Sequence, residues 1–217
     1  MKTVLLPVKG FDRAKSRLSS VLEPSERAAL AAAMFRDVAT ALTGSRSLDN
    51  VIVVTADSGV AELAGQFGFE IVDEPKVTGH SDAINRVSRE LAGHGVSLLA
   101  LAADLPLLRA DEVDQILALK TAGVVLIANR EGAGTNGLLM PDGRVIEAAY
   151  GAESLERHRR RALSAGILVE VVEVPGVAFD VDTREDLNDL TQLLNPSSHT
   201  WRCLVACERL TSARSVS

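Results

Sequence analysis

The stretch Ser97-Leu98-Leu99-Ala100-Leu101-Ala102-Ala103-Asp104-Leu105-Pro106 is an apolar run that stops at a carboxylate. Gly95 bounds it on one side and Pro106 on the other. Its length and aliphatic content predict a strand buried on both faces. Such strands belong to mostly parallel sheets covered by helices. Open α/β sheets bind ligands beyond the carboxyl ends of their strands, which is where Asp104 falls. An isolated charge there is costly unless a cation or hydrogen-bond donors compensate it. Asp104 therefore reads either as the cap of a following turn or as a ligand for a divalent metal.

The flanking sequence alternates between strand-like and helix-like segments. Strands are predicted at Thr3 to Val8, Val51 to Thr55, Glu70 to Val72 and Val124 to Ala128. Pro24 opens a helix through Leu42, since proline suits a first helical position. Further helices are predicted over Val60 to Phe67, Ser81 to Leu91 and Asp111 to Lys120. After Gly132 the pattern changes to a glycine-rich loop, Gly132 to Gly137, and a short strand, Leu138 to Met140. A basic helix from Glu153 to Ala165, strands at Ile167 to Val174 and Val177 to Val181, and a helix from Thr183 to Leu194 complete the series. The stretch after Pro196 lacks regular periodicity and reads as a tail. The expectation is an α/β fold: one domain over residues 1–195, with a mixed, mostly parallel sheet flanked by helices, and an irregular C-terminal tail over 196–217.

Composition narrows the function. Of the 217 residues 47% are apolar but only 3% aromatic, so the core must be aliphatic and a stacking surface for single-stranded nucleic acid is disfavoured. The formal net charge of −6 offers no global field for nucleic acid or an anionic membrane. No apolar span of membrane length and no signal peptide is read, which predicts a cytoplasmic protein. The two cysteines, Cys203 and Cys207, have no matching second pair and are expected as free thiols.

Four further constellations carry chemistry. In extended backbone, residues two apart share a side, so Asp180 and Asp182 can face one cavity. There they repel unless a cation lies between them or one is protonated. Asp182 with Glu185 also reads as a helix N-cap and its third helical residue. Lys9, Arg13, Lys15 and Arg17 gather positive charge after the first strand, a common place to hold phosphate. Gly134-Thr135-Asn136-Gly137 offers backbone amides and a hydroxyl to an anion, or is a plain hairpin turn. Tyr150-Gly151-Ala152-Glu153-Ser154 enters a helix whose free amides favour an anion. His158, within the basic helix, reads as a packing or surface residue. There is no Gly-x-Ser-x-Gly, Cys-His pair or zinc-type histidine spacing, so the nucleophile is expected to come with the substrate.

Pro7-Val8-Lys9, Ala14-Lys15-Ser16-Arg17-Leu18, Ala103-Asp104-Leu105-Pro106, Gly134-Thr135-Asn136, Tyr150-Gly151-Ala152-Glu153-Ser154 and Asp180-Val181-Asp182-Thr183 occur in one order. Together they resemble the phospholactate/phosphoenolpyruvate guanylyltransferases of deazaflavin coenzyme F-420 biosynthesis. Gly79 to Asn85 resembles the central loop of that family. The resemblance implies a nucleotide-diphospho-sugar transferase-like fold. The implied reaction joins GMP from GTP to phosphoenolpyruvate, 2-phospho-L-lactate or 3-phospho-D-glycerate and releases pyrophosphate. It also implies Mg²⁺ on Asp104, Asp180 and Asp182, and the acid on Thr135, Gly151 and Ser154. Charge assigns Lys9, Lys15 and Arg17 to the GTP phosphates, with Asp104, Lys15 and Arg17 as the catalytic set. The expected partners are GTP and the phosphorylated acid, not nucleic acid or membrane; oligomeric state stays open, a homodimer included. The alternatives are a molybdopterin guanylyltransferase or sugar-phosphate cytidylyltransferase of the same fold, and a non-catalytic module that binds a nucleotide or phosphometabolite.

Overall fold

Val and Leu fill the first strand, Lys2–Pro7 (β1), and every residue from Thr3 onward in it is buried. The computed structural model describes residues 1–74, 79–141 and 146–214, the last seven of these through their backbone alone. The remaining strands are Asn50–Thr55 (β2), Glu70–Asp73 (β3), Ser97–Leu101 (β4), Val124–Ala128 (β5), Thr135–Met140 (β6) and Val169–Val172 (β7). They form one sheet in the order β3-β2-β1-β4-β6-β5-β7. Neighbours pair in parallel except at β6, which runs antiparallel to both β4 and β5. The mixed, mostly parallel sheet expected from the sequence is the sheet observed.

The helices are Pro24–Gly44 (α1), Ser58–Gly65 (α2), His80–Leu91 (α3), Ala110–Leu117 (α4), Ser154–Ser164 (α5), Pro175–Ala178 (α6), Arg184–Leu193 (α7) and His199–Arg214 (α8). From β1 the chain winds outward through β2 and β3, then returns to add β4 on the other side of β1. Parallel crossovers are right-handed, so that reversal moves the covering helix to the other face. Phe35, Val38, Val60 and Leu63 of α1 and α2 pack on Val4, Leu6, Val53 and Leu99. Ala83, Ile84 and Val87 of α3 pack on Leu5, Ile52, Val54 and Ala100 of the opposite face. The reversal leaves a crevice at the carboxyl ends of β1 and β4, where such sheets bind ligands.

Several sequence expectations are corrected. Of the predicted strand Val177 to Val181, Val177 and Ala178 lie instead in a single helical turn, α6, started by Pro175, whose fixed φ suits a first helical position, and Phe179 to Val181 join no strand. The predicted loop through Gly137 ends earlier, because Thr135, Asn136 and Gly137 already pair in β6. The expected irregular tail contains α8. Leu204 of α8, with Trp201 and Cys203, packs on a third core cluster that includes Leu30 and Met34 of α1 and Leu187 and Leu190 of α7. Cys203 and Cys207 lie on that helix and form no disulfide. No helix among the described residues is long and apolar enough to cross a membrane.

Candidate active site

The loop after β1 borders the crevice and, together with the end of β4, lines an open cavity of about 270 Å³. Val8, Phe11 and Phe35 give it an apolar wall, and Lys9, Lys15, Asp104 and Asp182 give it charge. Lys15 precedes a short 3₁₀ turn, Ser16–Leu18, with its backbone in the left-handed region at φ 55°. A residue with a Cβ adopts that conformation at a cost, and such strain gathers at functional sites. The side chain is 5% exposed. Its ammonium donates to the Asp104 carboxylate and, at 3.2 Å, to Asp182 Oδ1. Arg17, mostly exposed, donates to Asp182 Oδ2 at 3.1 Å.

Burial opposes charge on both Lys15 and Asp104, and their contact outweighs it. Burial alone would lower the Lys15 pKa, but Asp104 and then Asp182 bring the net shift upward. Burial would raise Asp104, yet Lys15 holds it below the ordinary carboxylate range. Both groups stay ionised through neutral pH. Lys9 is exposed and has no carboxylate partner among the described residues. Arg13 lines the same cavity and only approaches its neighbour Asp12.

Asp180 behaves differently. Phe179 and Val181 are buried in the third core cluster, so the alternation of extended backbone turns Asp180 and Asp182 the other way. Asn136 Nδ2 donates to Asp180 Oδ1 at 3.1 Å. Burial pushes the Asp180 pKa up, Asn136 opposes this, and Asp104 and Asp182 add repulsion. The helix-cap reading of Asp182 is corrected. Thr183 is the cap of α7, its Oγ1 accepting from Asp186 N–H at 3.2 Å, while Asp186 Oδ2 accepts from the amides of Asp182 and Thr183. The Asp182 carboxylate is thereby left to Lys15 and Arg17.

The three carboxylates predicted to bind metal therefore neighbour one another, with the Lys15 ammonium between two of them. Among the described residues no group of three or more acidic, histidine or cysteine side chains is arranged to hold one ion. The donor chemistry still suits Mg²⁺, which takes one or two carboxylates plus phosphate and water oxygens. Asp180, half-buried and repelled by two neighbours, is the carboxylate in most need of a cation.

Thr135, Gly151 and Ser154 form a second group outside that cavity. Thr135 and Ser154 are buried, and Thr135 N–H donates to Ser154 Oγ at 2.9 Å. The glycine loop does not offer the free amides expected of it, because Asn129 Oδ1 accepts from Ala133 N–H and Gly134 N–H at 3.2 and 2.8 Å. Gly151 has φ +116°, and a Cβ there would meet Arg157 Nη2 at 2.9 Å. Only glycine fits without strain. The segment around it is suspended from its neighbours. Asn85 Oδ1 accepts from Ala148 N–H at 2.6 Å, Ser81 Oγ from Tyr150 N–H at 2.9 Å, and Arg157 Nη2 donates to Tyr150 O at 2.9 Å. Asn136 ties the two groups together, since its backbone follows Thr135 and its side chain reaches Asp180. A row of rings does so as well, His80 to Tyr150 at 4.6 Å and Tyr150 to His158 at 4.9 Å between centroids.

Residues 1–199 match the family described as "Guanylyl transferase CofC like". The chain belongs to that family. Among its curated relatives, the phosphoenolpyruvate guanylyltransferase of Conexibacter woesei is 41% identical over 88% of this chain and 87% of its own length. The 3-phospho-D-glycerate guanylyltransferase of Phenylobacterium zucineum is 37% identical over 86% of this chain and 88% of its own. The 2-phospho-L-lactate guanylyltransferase of Methanothermobacter thermautotrophicus is 33% identical over 88% and 84%. A nucleotidyl transferase structure from Methanothermobacter superposes with TM-score 0.64 at 17% identity, covering 88% of this chain and 95% of that one, which supports the fold. A structure from Desulfovibrio desulfuricans assigned to the nucleotide-diphospho-sugar transferases reaches TM-score 0.77 at 16% identity, with 96% of each chain covered. As a member of that family the protein is a nucleotidyltransferase.

His80 belongs to the Gly79 to Asn85 segment and is a site residue that the sequence motifs did not single out. It lines the charged cavity, and burial pushes its pKa down to about 4 against the attraction of Asp104, with Lys9 adding to the fall. It opens α3 directly after Gly79, whose φ of +116° suits glycine. A larger cavity of about 710 Å³, bordered by Arg109, Phe179 and His199, contains none of the predicted site residues.

Proposed function

We propose that this protein transfers GMP from GTP to a phosphorylated three-carbon acid, with release of pyrophosphate, as a cytoplasmic step in making coenzyme F-420. The observation that carries the reading is the meeting of Lys15, Arg17, Asp104, Asp180 and Asp182 at the sheet's reversal point. Cations and carboxylates interleaved in a crevice suit the joining of two polyanions. Relatives named for three different acids match this chain at 33–41% identity, so the acceptor is defined as their common class.

An oxygen of the acceptor phosphate attacks the α-phosphorus of GTP. A new P–O bond forms as the bond to the bridging β-phosphate oxygen breaks, and pyrophosphate leaves with that electron pair. The attacking oxygen is already anionic, so no side-chain base is required. Lys15 and Arg17 neutralise the polyphosphate, and the carboxylates hold both cations in place meanwhile. Mg²⁺ on Asp104 and the Asp180/Asp182 pair would add neutralisation of the growing charge. Thr135, Gly151 and Ser154 hold the acid.

Mass spectrometry of GTP and MgCl₂ incubated with each of the three acids tests this. The expected products are a GMP–acid conjugate and one equivalent of pyrophosphate. Tight nucleotide binding with no pyrophosphate from any acid would leave the binding-module reading in its place.

A further inference from the structure

His158 has no part in that reading, and its surroundings give it one. Its side chain is fully buried in α5. Nε2 accepts from Ala149 N–H at 2.8 Å, and Nδ1 lies 3.0 Å from Thr135 Oγ1. A ring nitrogen that accepts from a backbone amide carries no proton, so the imidazole is neutral and its single N–H sits on Nδ1. Thr135 Oγ1 is then the acceptor of that hydrogen bond, and its own proton must point elsewhere. Among the described residues no protein group takes it. Ser154 repeats the pattern, because its Oγ accepts from Thr135 N–H and its hydroxyl proton is also left over. Two neighbouring hydroxyls thus have an acceptor position filled by the protein and a donor position unused, which is the arrangement an anionic oxygen needs. Burial, Arg161 and Arg157 push the His158 pKa down to about 4, which keeps the ring uncharged at neutral pH.

We propose that His158 is a positioning residue whose Nδ1–H turns the Thr135 hydroxyl into a donor for an anionic oxygen of the acceptor acid. The proposal rests on the reading of Thr135 and Ser154 as the acceptor site. It differs from simple packing because it demands one tautomer and one direction of donation.

Nitrogen NMR of the full-length protein, ¹⁵N-labelled in its histidine rings, tests the tautomer at pH 7 without any substitution. A protonated Nδ1 with a bare Nε2 is expected; the opposite tautomer, or an imidazolium, overturns the proposal. Kinetics test the consequence. In His158→Asn the amide nitrogen stands where Nδ1 stood and can still donate to Thr135. In His158→Gln the amide reaches the Nε2 position, keeps Ala149 N–H satisfied and loses that donor. His158→Gln is expected to raise the acceptor KM about five- to tenfold with the GTP KM unchanged, and His158→Asn to restore it to within about twofold. Equal effects of the two variants, or a joint rise in both KM values, mean a purely structural histidine and overturn the proposal. Thr135→Val separates the two layers. If it raises the acceptor KM while His158→Gln does not, only the His158 role fails; if it changes nothing, the acceptor-site reading fails and takes the His158 role with it.

Discussion

Lys15 carries the strained backbone and the ion pairs that join the loop after β1 to Asp104 and Asp182. Those partners lie 89 and 167 residues away in the chain. A cation in a basic loop was legible in the sequence, but its carboxylate partners were not, because the spacing of charges along a chain says nothing about which ends of strands meet. The capping residue at Asp182-Thr183 was misread for a related reason. Either side chain can cap α7 locally, and the pull of Lys15 and Arg17 on Asp182 leaves the role to Thr183. Lys15→Met removes the ammonium and leaves Asp104 and Asp182 facing each other at 31% and 43% side-chain exposure. Solvent screens part of that repulsion, so a stability loss of about 1–2 kcal/mol is expected. The loss in kcat/KM for GTP is expected to reach about a hundredfold or more. Mg²⁺ should raise the Tm of the variant by more than that of the parent; equal shifts in paired melts would show that ammonium and metal do not share these carboxylates.

At the scale of elements, strands and long helices were readable where period and length agreed. β4, β5, α1 and α3 fall close to where alternation and Pro24 put them. The misses occur where tertiary contact supplies the stability. α8 has a weak apolar stripe of its own and is held by docking on α1 and by Asp37. The two oxygens of the Asp37 carboxylate accept from His199 N–H and Thr200 N–H at 2.8 and 2.9 Å. Asp37→Ala leaves those amides without that acceptor, at a cost of about 1 kcal/mol. For a chain of this size that lowers Tm by about 2–4 °C, which calorimetry would read, with guanylyl transfer retained. A loss of activity at unchanged Tm would place α8 in the site instead of behind it. β6 was cut short because glycine and asparagine read as turn residues. Between β4 and β5 those same residues are sheltered on both sides, and ladder pairing decides their conformation.

The whole molecule is acidic at −6, yet the crevice opens onto Lys9, Arg13, Lys15 and Arg17. Asp104 and Asp182 neutralise Lys15 and Arg17, so Lys9 and Arg13 are the cations of this group left to attract a polyphosphate against the net charge. Exposed charges are screened by salt while buried pairs are screened much less. The KM for GTP is expected to rise with KCl, and Lys9→Ala to flatten that rise, because of these four cations Lys9 is exposed and has no carboxylate partner among the described residues. A KM independent of salt in both proteins would confine the electrostatics to the buried Lys15. The site's position follows from topology at this scale: winding reverses at β1, the covering helices change face, and the gap between β1 and β4 opens at their carboxyl ends.

The order of strands and helices through β7, the aliphatic core and the acidic end of β4 were set by the sequence alone, because hydrophobic period and chain punctuation are local properties. So was the pairing of Asp180 and Asp182 on one side, which needs only extended backbone. Only the folded chain decided that Lys15 sits between Asp104 and Asp182, that α8 closes the third cluster, and that His158 faces Thr135. Those contacts join segments far apart in sequence, and their energies depend on burial and distance, quantities that exist only once the sheet has brought its strand ends together.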